Sequence, residues 1–271
     1  MWPRSTLFVR AWLTQRISSG VPGAPNVAWA SARLGGHVRF IGIVGSDHYG
    51  SAFQREFTDA GIELHLVQRG KSAVVVAFVD QAGERTFAAD MGDASIYPAD
   101  IPESAVDGIG ILHLTVYELT SSHTAEAALH LVGLAHARQT PLTVDLGSAN
   151  LVEELGPSGL SDLLKRIRPL LVFANDDEFR VAWPGGRPSH GEYLVVRKRG
   201  SSSTRLYSSN GRLCGTSTVP HVTEVVDTTG AGDAFAGAFL FGWMAGMPVA
   251  DVCRLAHHTA QSVIRRLGAR L

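Results

Sequence analysis

The chain has few cysteines and few charged residues for its length. Only two of its 271 residues are cysteine, Cys214 and Cys253, and neither lies in a CxxC spacing. This excludes a disulfide scaffold and argues for a reducing, cytoplasmic compartment. The 24 basic and 25 acidic side chains leave a net charge of −1, without the basic field of a nucleic-acid-binding protein. An apolar content of 45% excludes a disordered chain.

Long hydrophobic runs and several well-known enzyme motifs are also missing. The longest uncharged apolar stretch, 234–250, is shorter than the roughly 20 residues that cross a bilayer, and glycines and Pro248 interrupt it. We therefore expect a buried helix there and no membrane partner. The chain has no GxxxxGK[ST] of P-loop kinases, no HExxH of zinc hydrolases and no GxGxxG of Rossmann dehydrogenases.

Short β-branched segments alternate with longer helical patterns along the chain. Strands are predicted over 38–44, 110–115, 142–146, 170–174 and 193–198. Helices are predicted over 26–34, 51–60, 122–137, 160–167, 177–183, 233–245 and 249–266. This alternation indicates an α/β fold whose mostly parallel sheet is covered by helices on both faces.

One segment has no helix between its two apolar runs. Residues 73–80 and 85–89 are separated by a short polar turn that contains Gly83, a pattern typical of a β-hairpin. Such a hairpin, within about 71–90, is placed to act as a lid over one mouth of the sheet. No linker divides the chain, so we expect a single domain over 1–271.

The segment 225–239, VVDTTGAGDAFAGAF, carries the clearest chemical signal. Gly230, Ala231 and Gly232 allow a tight turn at the start of a helix, where unpaired N–H groups and the helix dipole form an anion pocket. Asp233 has two interpretations. It is either a helix N-cap or a general base that removes a hydroxyl proton while the amides hold a phosphoryl group.

This segment resembles the second signature of the ribokinase family, the PfkB-type carbohydrate and nucleoside kinases. Other segments are similar to family motifs in the same order over about 20–269: the first signature over 26–50, the lid at 83–87, the NxxE motif at 175–178 and the nucleotide-side strand at 194–200. The resemblance implies a three-layer αβα sandwich with a small β-hairpin lid. It also implies an ATP- and Mg²⁺-dependent kinase that phosphorylates a hydroxymethyl group of a sugar or nucleoside.

The resemblance implies roles for individual residues as well. Asp233 takes the position of the catalytic base, and 230–232 take the anion hole. Asn175 and Glu178 match the pair that holds Mg²⁺ through water, although an acidic helix N-terminus would show the same pattern. Asp227 and Thr229 match positions that bind a monovalent cation, such as K⁺, in some members.

The remaining matched positions concern the nucleotide and the acceptor. The nucleotide positions are Lys198, Gly200, Thr228 and His257. Lys198 could contact a phosphate or belong to a solvated turn, and His257 could be a partly buried structural histidine instead. Gly23 and Asn26 match acceptor-binding positions. Lids pair between subunits in some relatives, and the apolar run 73–79 would suit a homodimer of this kind.

The sequence departs from the family pattern near its beginning. Family members begin with a strand carrying an acceptor-binding Asp, whereas 1–19 contain none. Val21 and Pro22 stand where relatives have paired glycines. Residues 5–12 could supply a strand but not the carboxylate. The alternative to an active kinase is therefore a catalytically impaired nucleotide- or sugar-binding protein of the same fold.

Overall fold

The computed structural model describes residues 23–79, 85–90, 92–188, 191–219, 222, 224–266 and 268–269. The helices of this part are α1 Ala24–Arg33, α2 His48–Asp59, α3 Val116–Thr120, α4 Ala125–Ala137, α5 Ala149–Ile167, α6 Asp176–Ala182, α7 Ala231–Met244 and α8 Val249–Ile264. Its strands are β1 Arg39–Val44, β2 Glu63–Gln68, β3 Val74–Val79, β4 Arg85–Asp90, β5 Leu112–Thr115, β6 Leu142–Asp145, β7 Leu171–Asn175, β8 Leu194–Lys198, β9 Ser203–Ser208 and β10 Leu213–Thr218. Two short 3-10 helices precede β5.

A six-stranded sheet in the order β10-β9-β8-β7-β6-β5 forms the centre of the molecule. Strands β5 to β8 are parallel to one another, whereas β9 and β10 join antiparallel at one side. The parallel part follows from the strand–helix alternation, because parallel neighbours need a helical crossover. The prediction of a mostly parallel sheet is confirmed.

Helices cover both faces of this sheet. In β7, Leu171 and Phe173 pack against α1, α7 and α8, whereas Val172 and Ala174 face the core formed with α4, α5 and α6. All four of these side chains are fully buried. Alternate residues of a strand point to opposite faces, so an uninterrupted apolar run marks a strand buried on both sides. This arrangement is the expected three-layer sandwich.

A smaller parallel pair, β1 and β2, lies beside the main sheet. Phe53 and Phe57 of α2 pack against it and against Phe40, with ring centroids 5.6 Å apart in both contacts with Phe40. A cavity of about 760 Å³ lies between this pair and β5. Arg39 spans the gap at one end, where its guanidinium donates to the carbonyls of Ala105 and Asp107.

Strands β3 and β4 form the predicted antiparallel hairpin, with Val74 opposite Asp90 and Val79 opposite Arg85. Its turn residues Gly83 and Glu84 lie outside the described residues, as do 1–22, which include Val21 and Pro22. Strands β2, β9 and β10 were not predicted from the sequence. Helix α5 begins at Ala149 rather than at 160, because it continues through a kink at Gly156 and Pro157. Among the described residues, no helix is long and apolar enough to cross a membrane.

Candidate active site

Four polar residues meet at one edge of the central sheet. Thr115, Asp145, Asn175 and Lys198 are the last residues of β5, β6, β7 and β8, respectively. Because these strands are parallel neighbours, their carboxyl ends lie side by side. Ligands of open α/β sheets bind outside the carboxyl ends of the strands. The edge formed by these residues is therefore the candidate active site.

The glycine-rich turn before α7 lies at this edge. Gly230 adopts a φ of +77°, and a side chain there would lie 2.5 Å from the Ala269 carbonyl oxygen, so both conformation and space require glycine. Helix α7 begins directly afterwards at Ala231. The first N–H groups of a helix have no intrahelical acceptor and carry a partial positive charge. The turn 230–232 thus has the properties of an anion pocket.

Asp233 lies in the first turn of α7 and is held by residues from the start of α1. Asn26 Nδ2 donates a 2.8 Å hydrogen bond to Asp233 Oδ2, and the backbone N–H of Gly23 donates to the same carboxylate. Burial raises the pKa of Asp233 to about 6, assisted by the negative charge of Asp145 and opposed by the hydrogen bond from Asn26. A carboxylate with this pKa is a competent base near neutral pH.

Asn175 and Glu178 form a reciprocal cap at the start of α6. Asn175 Oδ1 accepts from the Glu178 N–H at 2.9 Å, while the Glu178 carboxylate accepts from the backbone N–H of Asn175 at 2.7 Å and from its Nδ2 at 2.8 Å. This is the capping arrangement that the acidic pattern also allowed. Burial raises the pKa of Glu178 to about 7, and the charge of Asp145 adds to the effect.

Lys198 reaches across the end of β7 to Asp145. Its Nζ lies 2.6 Å from Asp145 Oδ2, and the two side chains are only 12% and 5% exposed. The structure thus contradicts the solvated-turn interpretation of Lys198. Sequence reasoning did not single out Asp145, although an Asp within the apolar strand segment 142–146 was a detectable signal.

The other matched nucleotide positions are more dispersed. Gly200, with a φ of +53°, lies in the exposed turn between β8 and β9, and the Thr228 carbonyl accepts a hydrogen bond from the Ala231 N–H in the loop before α7. His257 is 5% exposed, lies 3.1 Å from the Thr204 hydroxyl through Nε2 and packs edge-on against Phe235. These contacts give His257 a packing function.

Asp227 links the loop before α7 to the end of the chain. Its carboxylate accepts from the backbone N–H groups of Thr229 and Gly268, at 2.9 and 3.0 Å. In the part of the chain that is described, no three His, Cys, Asp or Glu side chains gather around a common metal position. Mg²⁺ usually keeps several waters and binds one or two carboxylates together with substrate phosphates, so a Mg²⁺ site does not require such a group.

The charge balance at the site also suits a divalent cation. Asp145, Glu178 and Asp233 interact electrostatically with one another and with Lys198, which supplies one positive charge against three carboxylates. All candidate donors are oxygen atoms, the ligands that Mg²⁺ prefers. The residues present therefore fit a hydrated Mg²⁺ ion.

Comparison with known proteins identifies the family to which this chain belongs. The model of the pfkB family carbohydrate kinases matches residues 9–271. The chain belongs to the pfkB family of carbohydrate kinases. The carbohydrate kinase class expected from the sequence is thereby confirmed.

Two curated relatives show the level of similarity. An uncharacterized sugar kinase of Archaeoglobus fulgidus is 27% identical over 250 residues, which cover 88% of this chain and 96% of the relative. An ATP-dependent ribose-1-phosphate kinase of Halopiger xanaduensis is 28% identical over 260 residues, which cover 93% of this chain and 82% of the relative.

Solved structures share the fold of this chain. An adenosine kinase from Sinorhizobium meliloti superposes with a TM-score of 0.81 at 23% identity, covering 92% of this chain and 78% of that one. A putative ribokinase II from E. coli in complex with ATP and Mg²⁺ superposes with a TM-score of 0.77 at 20% identity, covering 93% and 84%. The predicted fold class is confirmed.

Proposed function

We propose that the chain transfers the γ-phosphoryl group of ATP to a hydroxymethyl group of a sugar or nucleoside, with Asp233 as the catalytic base. The observation that carries this proposal is the position of Asp233. Its carboxylate lies in the first turn of α7, next to the amides of 230–232, and two donors from the start of α1 fix its orientation. A base beside an anion pocket is what transfer of a phosphoryl group to a hydroxyl requires.

The reaction joins three events at this point. Asp233 accepts the proton of the acceptor hydroxyl as that oxygen forms a bond to the γ-phosphorus, and the bond from phosphorus to the ADP oxygen breaks. The amides of Gly230, Ala231 and Gly232 stabilise the negative charge on the transferring group. Asn26 and Gly23 hold the base in place, and we assign both to the acceptor side of the site.

Metal ions complete the proposed site. Asn175 and Glu178 would hold Mg²⁺ through water, and the ion would neutralise charge on the ATP phosphates when bound. Burial and the charge of Asp145 raise the pKa of Glu178 to about 7, and an adjacent cation would favour its ionised form. We assign Asp227 and Thr229 to a monovalent cation such as K⁺.

The remaining assignments concern the nucleotide and the architecture. We assign Lys198, Gly200 and Thr228 to the nucleotide side. The fourth matched position, His257, contacts Thr204 and Phe235, which fits packing beneath that side rather than contact with the nucleotide. The whole of 1–271 constitutes one kinase domain, and the hairpin at about 71–90 is its lid and the candidate contact of a homodimer. A cytoplasmic location agrees with the low cysteine content.

The decisive experiment substitutes the proposed base. Asp233→Asn keeps the size of the side chain but removes the proton acceptor, so we expect turnover to fall roughly 10²- to 10⁴-fold while ATP binding persists. Release of ADP should be measured with a panel of sugars and nucleosides, and ATP affinity by titration calorimetry. Asp251→Asn on α8, outside the site, is the matched control and should retain full turnover. Unchanged turnover in Asp233→Asn would remove Asp233 from the base role.

A second candidate function follows from the lack of an aspartate in residues 1–19. Without the acceptor-binding carboxylate, the chain would be a catalytically impaired nucleotide- or sugar-binding protein. ATP-dependent thermal stabilisation without turnover on any acceptor of the panel would support this function. Acceptor-dependent release of ADP would reject it.

A further inference from the structure

The ion pair between Asp145 and Lys198 lies directly beneath the anion pocket. The two residues end β6 and β8, on either side of β7, and their side chains meet at 2.6 Å across the end of that strand. Both are largely buried. A buried ion pair is weak evidence for stability, because desolvation of its two charges offsets most of their attraction. Its presence here calls for a role beyond folding.

Lys198 also faces the glycine-rich turn. A Cβ atom at position 232 would lie 3.4 Å from Lys198 Nζ. Because Gly232 has no side chain, no atom of its own lies between the ammonium group and the backbone of the turn. An ammonium group has three N–H donors. Asp145 takes one of them, and another can be directed toward an anion bound at 230–232.

A lysine without an anchor would be a poor phosphate ligand in this position. Its side chain loses about 2 kcal/mol of rotamer entropy when it is fixed in one conformation. Asp145 supplies the ordering contact from within the protein. The ammonium group is therefore preorganised, which is the condition under which a fixed charge stabilises a transition state effectively.

We propose that Asp145 is a positioning residue, which holds the Lys198 ammonium group against the turn 230–232, where it contacts the transferred phosphoryl group. This inference rests on the proposed function, because it assumes that a phosphoryl group occupies the turn. Asp145 itself does not contact the reacting atoms. It acts through Lys198, and the two residues form one functional unit.

A double-mutant cycle with two readouts tests the proposal. The variants are Asp145→Asn, Lys198→Met and the combination of both. Each single variant leaves one charge of the buried pair without its partner, so thermal stability should fall. The double variant should recover most of that loss, because neither charge of the pair remains. Turnover should fall roughly 100-fold or more in Lys198→Met and should not recover in the double variant.

The kinetic cycle also separates the two residues. Asp145→Asn alone should lower turnover, and it should have little further effect in the Lys198→Met background, because it acts through a group that is already absent. The exposed pair Asp162 and Lys165 on α5 is the matched control. Its double variant, Asp162→Asn with Lys165→Met, should change neither stability nor turnover measurably.

With an active wild type, two results would overturn the proposal. Recovery of turnover together with stability in the double variant would make the pair purely structural. A further tenfold loss on adding Asp145→Asn to Lys198→Met would show that Asp145 acts independently, for example on a metal.

If the wild type has no turnover, the proposed function fails, and ATP affinity becomes the readout. Equal ATP affinity in wild type and double variant would then reject the positioning role as well.

Discussion

Asn26 and Asp233 are 207 positions apart in the chain, yet a 2.8 Å hydrogen bond joins Asn26 Nδ2 to Asp233 Oδ2. The contact exists because α1 packs along α7, where Gly237 allows the two helices to approach closely. It connects the first described helix to the glycine-rich signature of the family. The proposed base is thereby oriented by a residue that the sequence pattern placed on the acceptor side.

We expect Asn26→Ala to shift the pH dependence of the reaction. Asp233 acts as a base only when ionised, so kcat/KM of the wild type should decline below about pH 6, the raised pKa of this carboxyl. The hydrogen bond from Asn26 favours the ionised form. Its loss raises the pKa, and the acidic limb should move to higher pH. Profiles of kcat/KM from pH 5 to 8 check this, and an acidic limb that stays in place would contradict it.

Asp233 should also make the unliganded protein less stable as the pH rises. The pKa of Asp233 in the folded protein, about 6, lies above the ordinary value of 3.8. The protonated carboxyl therefore stabilises the fold fully below pH 3.8, and this stabilisation is lost as the pH rises through about 6. Asp233→Asn abolishes this dependence. Between pH 5 and pH 8 the variant should gain on the order of 1 kcal/mol in unfolding free energy relative to wild type. Urea unfolding at both pH values measures the difference, and equal pH dependence of the two proteins would argue against it.

Alanine at Gly230 should lower the stability of the protein, whereas alanine at Gly232 should lower its turnover. At Gly230 a side chain requires an unfavourable φ and meets the Ala269 carbonyl, so the variant should lose on the order of 1–3 kcal/mol of stability. At Gly232 the nearest atom is Lys198 Nζ at 3.4 Å, and stability should be retained or slightly raised. The added methyl group stands in the anion pocket, however, and should reduce turnover roughly tenfold or more. Thermal melts and ADP release distinguish the two, and full activity of Gly232→Ala would place the anion elsewhere.

Gly237→Ala should weaken the contact between α1 and α7. Its Cβ would lie 2.4 Å from the Val27 carbonyl oxygen and 2.9 Å from the Ala30 Cβ, so the helices must separate, at a cost of about 1–3 kcal/mol. Turnover should fall as well, because Asn26 moves away from Asp233.

Gly133 on α4 is the control for Gly237→Ala, since a Cβ there has no neighbour within 4 Å and alanine should stabilise by about 0.5–1 kcal/mol. Equal stabilities of the two variants would disprove the close helix contact.

Several features of the fold were accessible from local patterns. Strands β6 to β8 and the helices between them follow from short apolar runs and helical periodicity, which are properties of adjacent residues. The hairpin of β3 and β4 followed from its polar turn. Strands β9 and β10 escaped prediction because their alternating polar residues, as in 213–218, also suit an exposed loop, and only pairing with β8 fixes them as strands.

The motif over 225–239 by itself determined the class of chemistry to expect of this protein, because a tight glycine turn, a helix start and a carboxylate are all encoded by neighbouring residues. Tertiary structure alone decided which residues surround that carboxylate. Asn26 reaches it through helix packing, and Asp145 reaches Lys198 because β6 and β8 end on either side of β7 in the sheet. Such contacts depend on the order of the strands in the sheet and on which helices pack together, and neither can be predicted from the spacing of residues along the sequence.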